Sequence, residues 1–415
     1  MEKKELFETY ESEVRSYCRN LPAVFTTAKG SKMYDDAGVE YLDFFDGAGA
    51  LNYGHNNDYI KGKVLEYLAA DGITHALDLM TEAKAGFIDV LENKLLKPKN
   101  LDYKVQFTGP TGTNANEAAA KLARKVTGRT NIWAFMGSFH GMTAGSLALT
   151  SQKADRAGAG MPLSGATFIP SPYMLGGNFD SIGYMEMLMA DDHSGADTPA
   201  AIFIETVQAE GGIYVFAEQF LRDLRAFCDK YGILLVVDDI QVGNARTGKF
   251  FSFERAGIVP DMVTLSKSIG GMGLPLALVL LKGELDIWKP GEHNGTFRGM
   301  QLSLVAGKAG IEYMLENDIE AEVERKGLLA QEYIASEIAP LSHVVEVRGL
   351  GLVRAIQMES PVQTAFIQKY NFEHQLISER CGRDSSATKI MPALTISDDE
   401  LLKGLEIIKN AIKSL

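Results

Sequence analysis

Five aliphatic residues in a row, 233–237, end on Asp238, Asp239, Ile240 and Gln241. In a parallel sheet the carboxyl ends of strands are where ligands sit, so acids and an amide there are candidates for chemistry. A second apolar run, MVTL, ends on Ser266 and Lys267, 29 positions after Asp238, and Gly270, Gly271 and Gly273 follow. A lysine amine held at a low-dielectric strand end has its pKa lowered and can attack a carbonyl to form an imine. The glycines permit close approach of a flat ligand or of another subunit's backbone. A third stretch, FTGPTGTNANEAA at 107–119, puts Gly109, Pro110 and Gly112 directly before a helix. Converging N–H groups and the helix dipole there make an anion or phosphate cradle.

Each piece has a plainer reading alone. Gly and Pro before a helix make a turn, and a lysine after a strand reaches solvent from a loop. Taken together they meet the needs of pyridoxal 5'-phosphate (PLP): a phosphate cradle (Gly112, Thr113), an amine for the aldehyde (Lys267), and a carboxylate (Asp238) that keeps the pyridine nitrogen protonated so the ring acts as an electron sink. A nucleotide-binding reading of GPTGTN fails on its own terms, because no G-K-[ST] follows and no G-x-G-x-x-G is present.

The elements that must position these residues are legible in the hydrophobic pattern. NIWAFMG, AAIFIET, ILLVVDD and MVTLSK read as short buried strands, with helical stretches such as ANEAAAKLARKVTG between some of them. That alternation predicts an α/β fold with a mostly parallel central sheet flanked by helices. The helix after the cradle should begin near Asn114 and stop at Gly128. In the first ~55 residues a hairpin is expected with its turn at Asp36 to Gly38. Near the C-terminus Ser397, followed by Asp398, Asp399 and Glu400, reads as a helix N-cap with acids in the first turn. The expected division is an N-terminal segment (1–58), a large cofactor-binding domain (59–301) and a C-terminal segment (302–415), the two ends joining in a smaller α+β unit.

With 46% hydrophobic and 23% charged residues, the 415-residue chain has an ordinary globular composition. A net charge of −13 without any Lys/Arg-dense stretch argues against nucleic acid or an anionic membrane and for a small-molecule role. Three scattered cysteines fit a reducing compartment. No signal-like segment and no ~20-residue apolar run is apparent, so a cytoplasmic location is expected.

The residues Asp238, Asp239, Ile240, Gln241 and Lys267 at this spacing resemble the class III (ornithine/GABA-type) aminotransferases, PLP-dependent transferases of fold type I. The likeness runs nearly end to end. Its segments EVRSYCRNLP, GAGALNYGHNN, GPTGTNANEAA, FHGMT, EHNGTFRG and LTISDDEL are similar, more narrowly, to the L-2,4-diaminobutyrate transaminases of ectoine biosynthesis. The resemblance implies that Lys267 bears the coenzyme and carries a proton, and that Asp238 pairs with the pyridinium. It implies also that Ile240 and Phe139 pack on the ring faces, with His140 beside them, and that Gln241 bonds the phenolic oxygen. Gly112 and Thr113 would bind the phosphate, joined by Thr296 from the neighbouring subunit of a homodimer with shared active sites, with dimers able to pair as tetramers.

Departures from the family pattern bear on substrate. Where many members carry an arginine after F-[HW]-G, this chain has Met142, which offers no charge-assisted pair to a carboxylate. Arg298 in GTFRG is the candidate replacement. The arginine that the family pairs with a glutamate is here Lys389, facing Glu210 of VQAEGG, a point charge without a fork. The residues Met142 and Lys389 are shared with the narrower type that the chain resembles, whereas Ala209, Asn244, Ala245, Met300 and Gln301 differ from it. The expected reaction is transfer of an amino group from L-glutamate to the aldehyde of L-aspartate 4-semialdehyde, giving L-2,4-diaminobutyrate and 2-oxoglutarate. Another amino-aldehyde or diamino acid as substrate, or a PLP aminomutase or decarboxylase, would reuse the same coenzyme contacts.

Overall fold

The computed structural model describes residues 3–415. Its centre is a seven-stranded sheet in the order Lys104–Phe107, Leu278–Leu281, Met262–Leu265, Leu234–Asp238, Ala201–Ile204, Ile132–Phe135, Ala166–Ile169. Five neighbouring strands, from Met262–Leu265 to Ala166–Ile169, run parallel, while Leu278–Leu281 is antiparallel to both its neighbours. The strands Ile132–Phe135, Ala201–Ile204 and Met262–Leu265 are buried at every position, as parallel strands covered on both faces must be. All four strands read from the sequence are therefore in the sheet. The strands at 104, 166 and 278 are additional.

Register, rather than any loop, brings the polar residues together. Val237 pairs with both Ile204 and Val263, and Asp238 pairs with Thr264. The carboxyl ends of these parallel strands are thus level, and Glu205, Asp238 and the Ser266–Lys267 turn emerge along one edge.

The cradle helix runs Gly112–Thr127, two residues earlier than the pattern suggested, and stops at Gly128 in the left-handed region at φ 69°. Its buried face is almost all small (Ala115, Ala118, Ala119, Ala123), which lets the helix lie close on the sheet. The early start matters because it makes Gly112 and Thr113 the first helical residues, whose N–H groups have no intrahelical partner.

Strands from the two ends of the chain meet. Lys32–Asp35 and Glu40–Asp43 form the hairpin, and Leu376–Ile377 adds to it in parallel, with Leu376 opposite Leu42. A second sheet is built from Val344–Leu350, Val353–Met358, Ala387–Ile390 and Glu379–Cys381. The last helix, Asp398–Lys413, begins with a full capping box between Ser397 and Glu400.

Two packing features fix the turn that carries Lys267. Helix Gln301–Glu316 lies against the turn Lys267–Gly270 and against helix Asp58–Ala69. Its approach is so close that a Cβ on Gly271 would sit 2.1 Å from the Ala306 carbonyl oxygen, and one on Gly307 would sit 2.4 Å from that of Ile269. Gly271 therefore admits a helix of the same chain, where a flat ligand or another subunit was expected. The second feature is fully buried Arg246, which is paired with Asp46, bonds Asn52 Oδ1 at 2.6 Å and donates to the carbonyls of Leu352 and Pro392. It ties the 46–52 loop to the C-terminal segment, and that loop supplies the carbonyl met by Lys267.

Candidate active site

Lys267, Asp238, Glu210, Gly112, Thr113, Phe139, His140, Ile240 and Gln241 all line one cavity of about 340 Å³. That lies within the range of small-molecule sites. The sequence-derived cofactor set, apart from Thr296, is thereby assembled in a single place.

Asp238 is held from three directions. Its Oδ2 accepts from Asn116 Nδ2 at 2.7 Å and from His140 Nδ1 at 2.8 Å, and its Oδ1 accepts from the Ile240 amide at 3.1 Å. Asn116 is itself oriented by Thr264 Oγ1, which donates to its Oδ1 at 2.8 Å. Burial alone would lower the His140 pKa, but its bond to Asp238 and that residue's charge outweigh burial and hold it above the ordinary value. His140 Nε2 is buried with no hydrogen-bond partner among the described residues. His140 is thus an orienting neighbour of Asp238.

Lys267 sits in the left-handed region, at φ 56°, and its Nζ donates to the Ala48 carbonyl at 2.7 Å. Burial pushes its pKa down to about 8, with Glu210 opposing and Lys389 assisting. The Gln241 amide nitrogen donates to the same Ala48 carbonyl at 3.0 Å.

At the cradle, a Cβ on Gly112 would lie 2.9 Å from Ile240 Cδ1, so a larger residue there would require the Ile240 side chain to shift. Thr113 Oγ1 exchanges hydrogen bonds with Thr143, at 2.6 Å, and with Ser146.

A charged cluster adjoins Lys267. Lys389, 1% exposed, donates to Glu210 Oε1 at 2.6 Å, to Glu379 Oε2 at 3.2 Å and to Gln241 Oε1 at 3.5 Å. Burial works against the Lys389 charge, yet the two carboxylates win and raise its pKa. Glu210 is resisted by burial but held below its usual range by Lys389 and Lys267. Glu379 is pushed up by burial and by Glu210.

Three predicted residues lie elsewhere in the chain's own fold. Arg298 is paired with Asp78 and donates to the His293 carbonyl, and with Asp78 it lines a separate cleft. Met142 is exposed, and the Thr296 carbonyl accepts from His75 Nε2 at 2.9 Å. None of the three lines the Lys267 cavity. Asp239, flagged with Asp238, is buried and bound to Ser252, whose amide donates to it at 2.9 Å. Burial raises its pKa to about 7, and its role is structural.

The sequence reading missed Asn116, Glu205 and Glu379. Glu205 follows an apolar strand as Asp238 does, so the same signal was present. Its carboxylate accepts from the Phe139 amide at 2.9 Å, and burial raises its pKa to about 8. Asn116 is one helical turn beyond Gly112, on the same face. Glu379 has no local signal.

This donor set fits PLP: a lysine amine of lowered pKa, a carboxylate locked by donors for a ring nitrogen, an aromatic and an aliphatic wall, and helix-start amides for a phosphate.

Residues 14–412 match the family described as "Aminotransferase class-III". A diaminobutyrate--2-oxoglutarate transaminase from Nocardia farcinica is 50% identical over 414 residues, covering 99% of this chain and 94% of the relative. Another, from Halalkalibacterium halodurans, is 47% identical, covering 99% and 96%. Among solved structures, a Bacillus anthracis aminotransferase superposes with a TM-score of 0.90 at 22% identity, covering 100% of both chains. An ornithine aminotransferase from Toxoplasma gondii, described with partial occupancy of PLP at its active site, gives 0.84 at 22% identity over 99% and 93%.

Proposed function

The chain belongs to the class III aminotransferases, PLP-dependent enzymes, and from that premise we propose that it moves an amino group from L-glutamate to the aldehyde of L-aspartate 4-semialdehyde, giving L-2,4-diaminobutyrate and 2-oxoglutarate. The observation that carries this reading is that Lys267 and Asp238 open into one cavity with the Gly112–Thr113 helix start. Bound PLP supplies the electron sink. The chain supplies the rest.

Asp238, fixed by Asn116 and His140, would provide the charge that keeps the ring nitrogen protonated. Gly112 and Thr113 would hold the phosphate, and Phe139 and Ile240 would bracket the ring. Lys267 Nζ carries the proton, and a pKa near 8 lets it both take and return one at neutral pH. Glu210, held by buried Lys389, is the polar wall met by the substrate.

We take the enzyme to be a cytoplasmic homodimer, with Thr296 reaching the neighbour's cradle. Exposed Leu77, Leu79, Met80 and Phe297, clustered with the His75–Thr296 and Arg298–Asp78 contacts, support that placement.

The test is a spectrum of the purified protein and of Lys267→Ala, followed by keto-acid release. Wild type should carry the absorbance band of lysine-bound coenzyme and yield 2-oxoglutarate from glutamate in proportion to sites. The variant should lack the band. A wild-type band without 2-oxoglutarate release would overturn the donor assignment and favour a decarboxylase or isomerase.

A further inference from the structure

Glu379 and Lys389 are directly opposite each other on the antiparallel strands Glu379–Cys381 and Ala387–Ile390. Glu210 reaches the same ammonium and lines the Lys267 cavity, while Glu379 lines a separate cleft. One buried lysine is therefore shared by two carboxylates, and Glu210, the member of the trio that lines the cavity holding Lys267, has only part of that lysine's charge to balance its own. A one-to-one pair would be neutral. Burial lets water screen the difference only in part.

We propose that Glu379 is a positioning residue that sets substrate preference through Lys389, making this wall favour a cationic diamino acid over a dicarboxylate. This rests on the transaminase reading above and names which end of that reaction the site is built for. Diaminobutyrate has two ammonium groups and one carboxylate, whereas glutamate has the reverse, so a surplus charge acts on them with opposite sign. Glu379 also occupies Lys389 from behind, which leaves the lysine less able to take a substrate carboxylate. Lys389 remains a weaker carboxylate partner than an arginine would be.

The experiment compares wild type, Glu379→Gln and Glu379→Asp as holoenzymes. Half-saturating concentrations of glutamate and of diaminobutyrate are read from the coenzyme absorbance in single half-reactions, and binding of unreactive glutarate is measured by calorimetry. Glu379→Gln keeps Lys389 paired with Glu210, so the fold has no orphaned charge. It should tighten glutamate and glutarate and weaken diaminobutyrate, each by about fivefold, the scale of one partly screened charge. Glu379→Asp, which retains the charge, should keep the wild-type preference. A purely structural role would move both substrates the same way, and that result, or no change in either, overturns the proposal. Should Glu379→Gln not yield folded holoenzyme, wild type in the pyridoxamine form, which has no aldehyde to react with an amine, decides: glutarate should bind more weakly than 1,3-diaminopropane, and the reverse order overturns the surplus charge. Wild type that reacts with neither amino acid contradicts the transaminase reading itself, a separate outcome.

Discussion

Lys267 carries two costs that an ordinary lysine does not. A non-glycine residue at φ 56° is in a conformation about 1–2 kcal/mol less favourable than the right-handed one. Its ammonium is also disfavoured by burial, with a pKa of about 8 against an ordinary 10.5. Between those two values the unfolded chain binds more protons than the folded one, so stability of the coenzyme-free protein should rise with pH over that window. Below about 8 both states are protonated and the penalty stands in full. Lys267→Met removes the charge, so its apo form should melt above wild-type apo protein at pH 7 and lose the gain from pH 8 to 10, both read by thermal denaturation. The same shift governs reactivity, since the free amine is the nucleophile. Coenzyme uptake by wild-type apo protein should therefore speed up by about tenfold per pH unit below 8 and level off above it, followed by absorbance. A rate that keeps climbing about tenfold per unit through pH 9, with no levelling above 8, would mean that the amine is not desolvated.

At the scale of elements, the site depends on how closely helix Gln301–Glu316 approaches the Lys267 turn. A methyl group at Gly307 would meet the Ile269 carbonyl at 2.4 Å and Phe87 Cε2 at 2.9 Å. Neither neighbour is the end of a flexible chain. Gly307→Ala should cost about 1–3 kcal/mol by overpacking and push the turn toward the cavity, lowering both the melting temperature and coenzyme affinity. Gly283→Ala, where nothing lies within 4 Å, is the matched control. This contact was illegible in the sequence because it joins elements nearly forty residues apart. Asp238 was legible because five aliphatics in a row announce a buried strand and the acid marks its end. The cradle was legible as well, since Gly112 breaks a pattern that is helical from the next turn on. Glu379 was not, because its meaning is a cross-strand register with Lys389, and register is set by turns and packing rather than by either residue. Arg298 shows the opposite failure: a suggestive motif position whose partner in its own chain, Asp78, lies 220 residues away.

For the molecule as a whole, the open question is what covers the surface around Met80. Its side chain is 99% exposed, and Leu77, Leu79 and Phe297 nearby are also exposed. Exposed apolar side chains grouped along 77–80 and at Phe297 are what an interface would cover. The Phe297 ring packs edge-on against His75 at 5.4 Å, and His75 in turn holds the Thr296 carbonyl. The surface and the threonine assigned to the neighbour's phosphate are thus one mechanical unit. Its failure should be felt in both places. Met80→Asp puts a charge where an apolar partner is expected, and it should shift the protein from dimer to monomer in sedimentation. The monomer should lose coenzyme at concentrations where wild type keeps it, although no residue lining the Lys267 cavity has changed. Thr296→Val separates the two effects: it should weaken coenzyme binding, by about 1 kcal/mol for one lost hydrogen bond, and leave the dimer intact. A Met80→Asp protein that stays dimeric and fully loaded would show that the Thr296 loop faces solvent, and each cradle would then have to hold its phosphate with Gly112, Thr113 and their own chain alone.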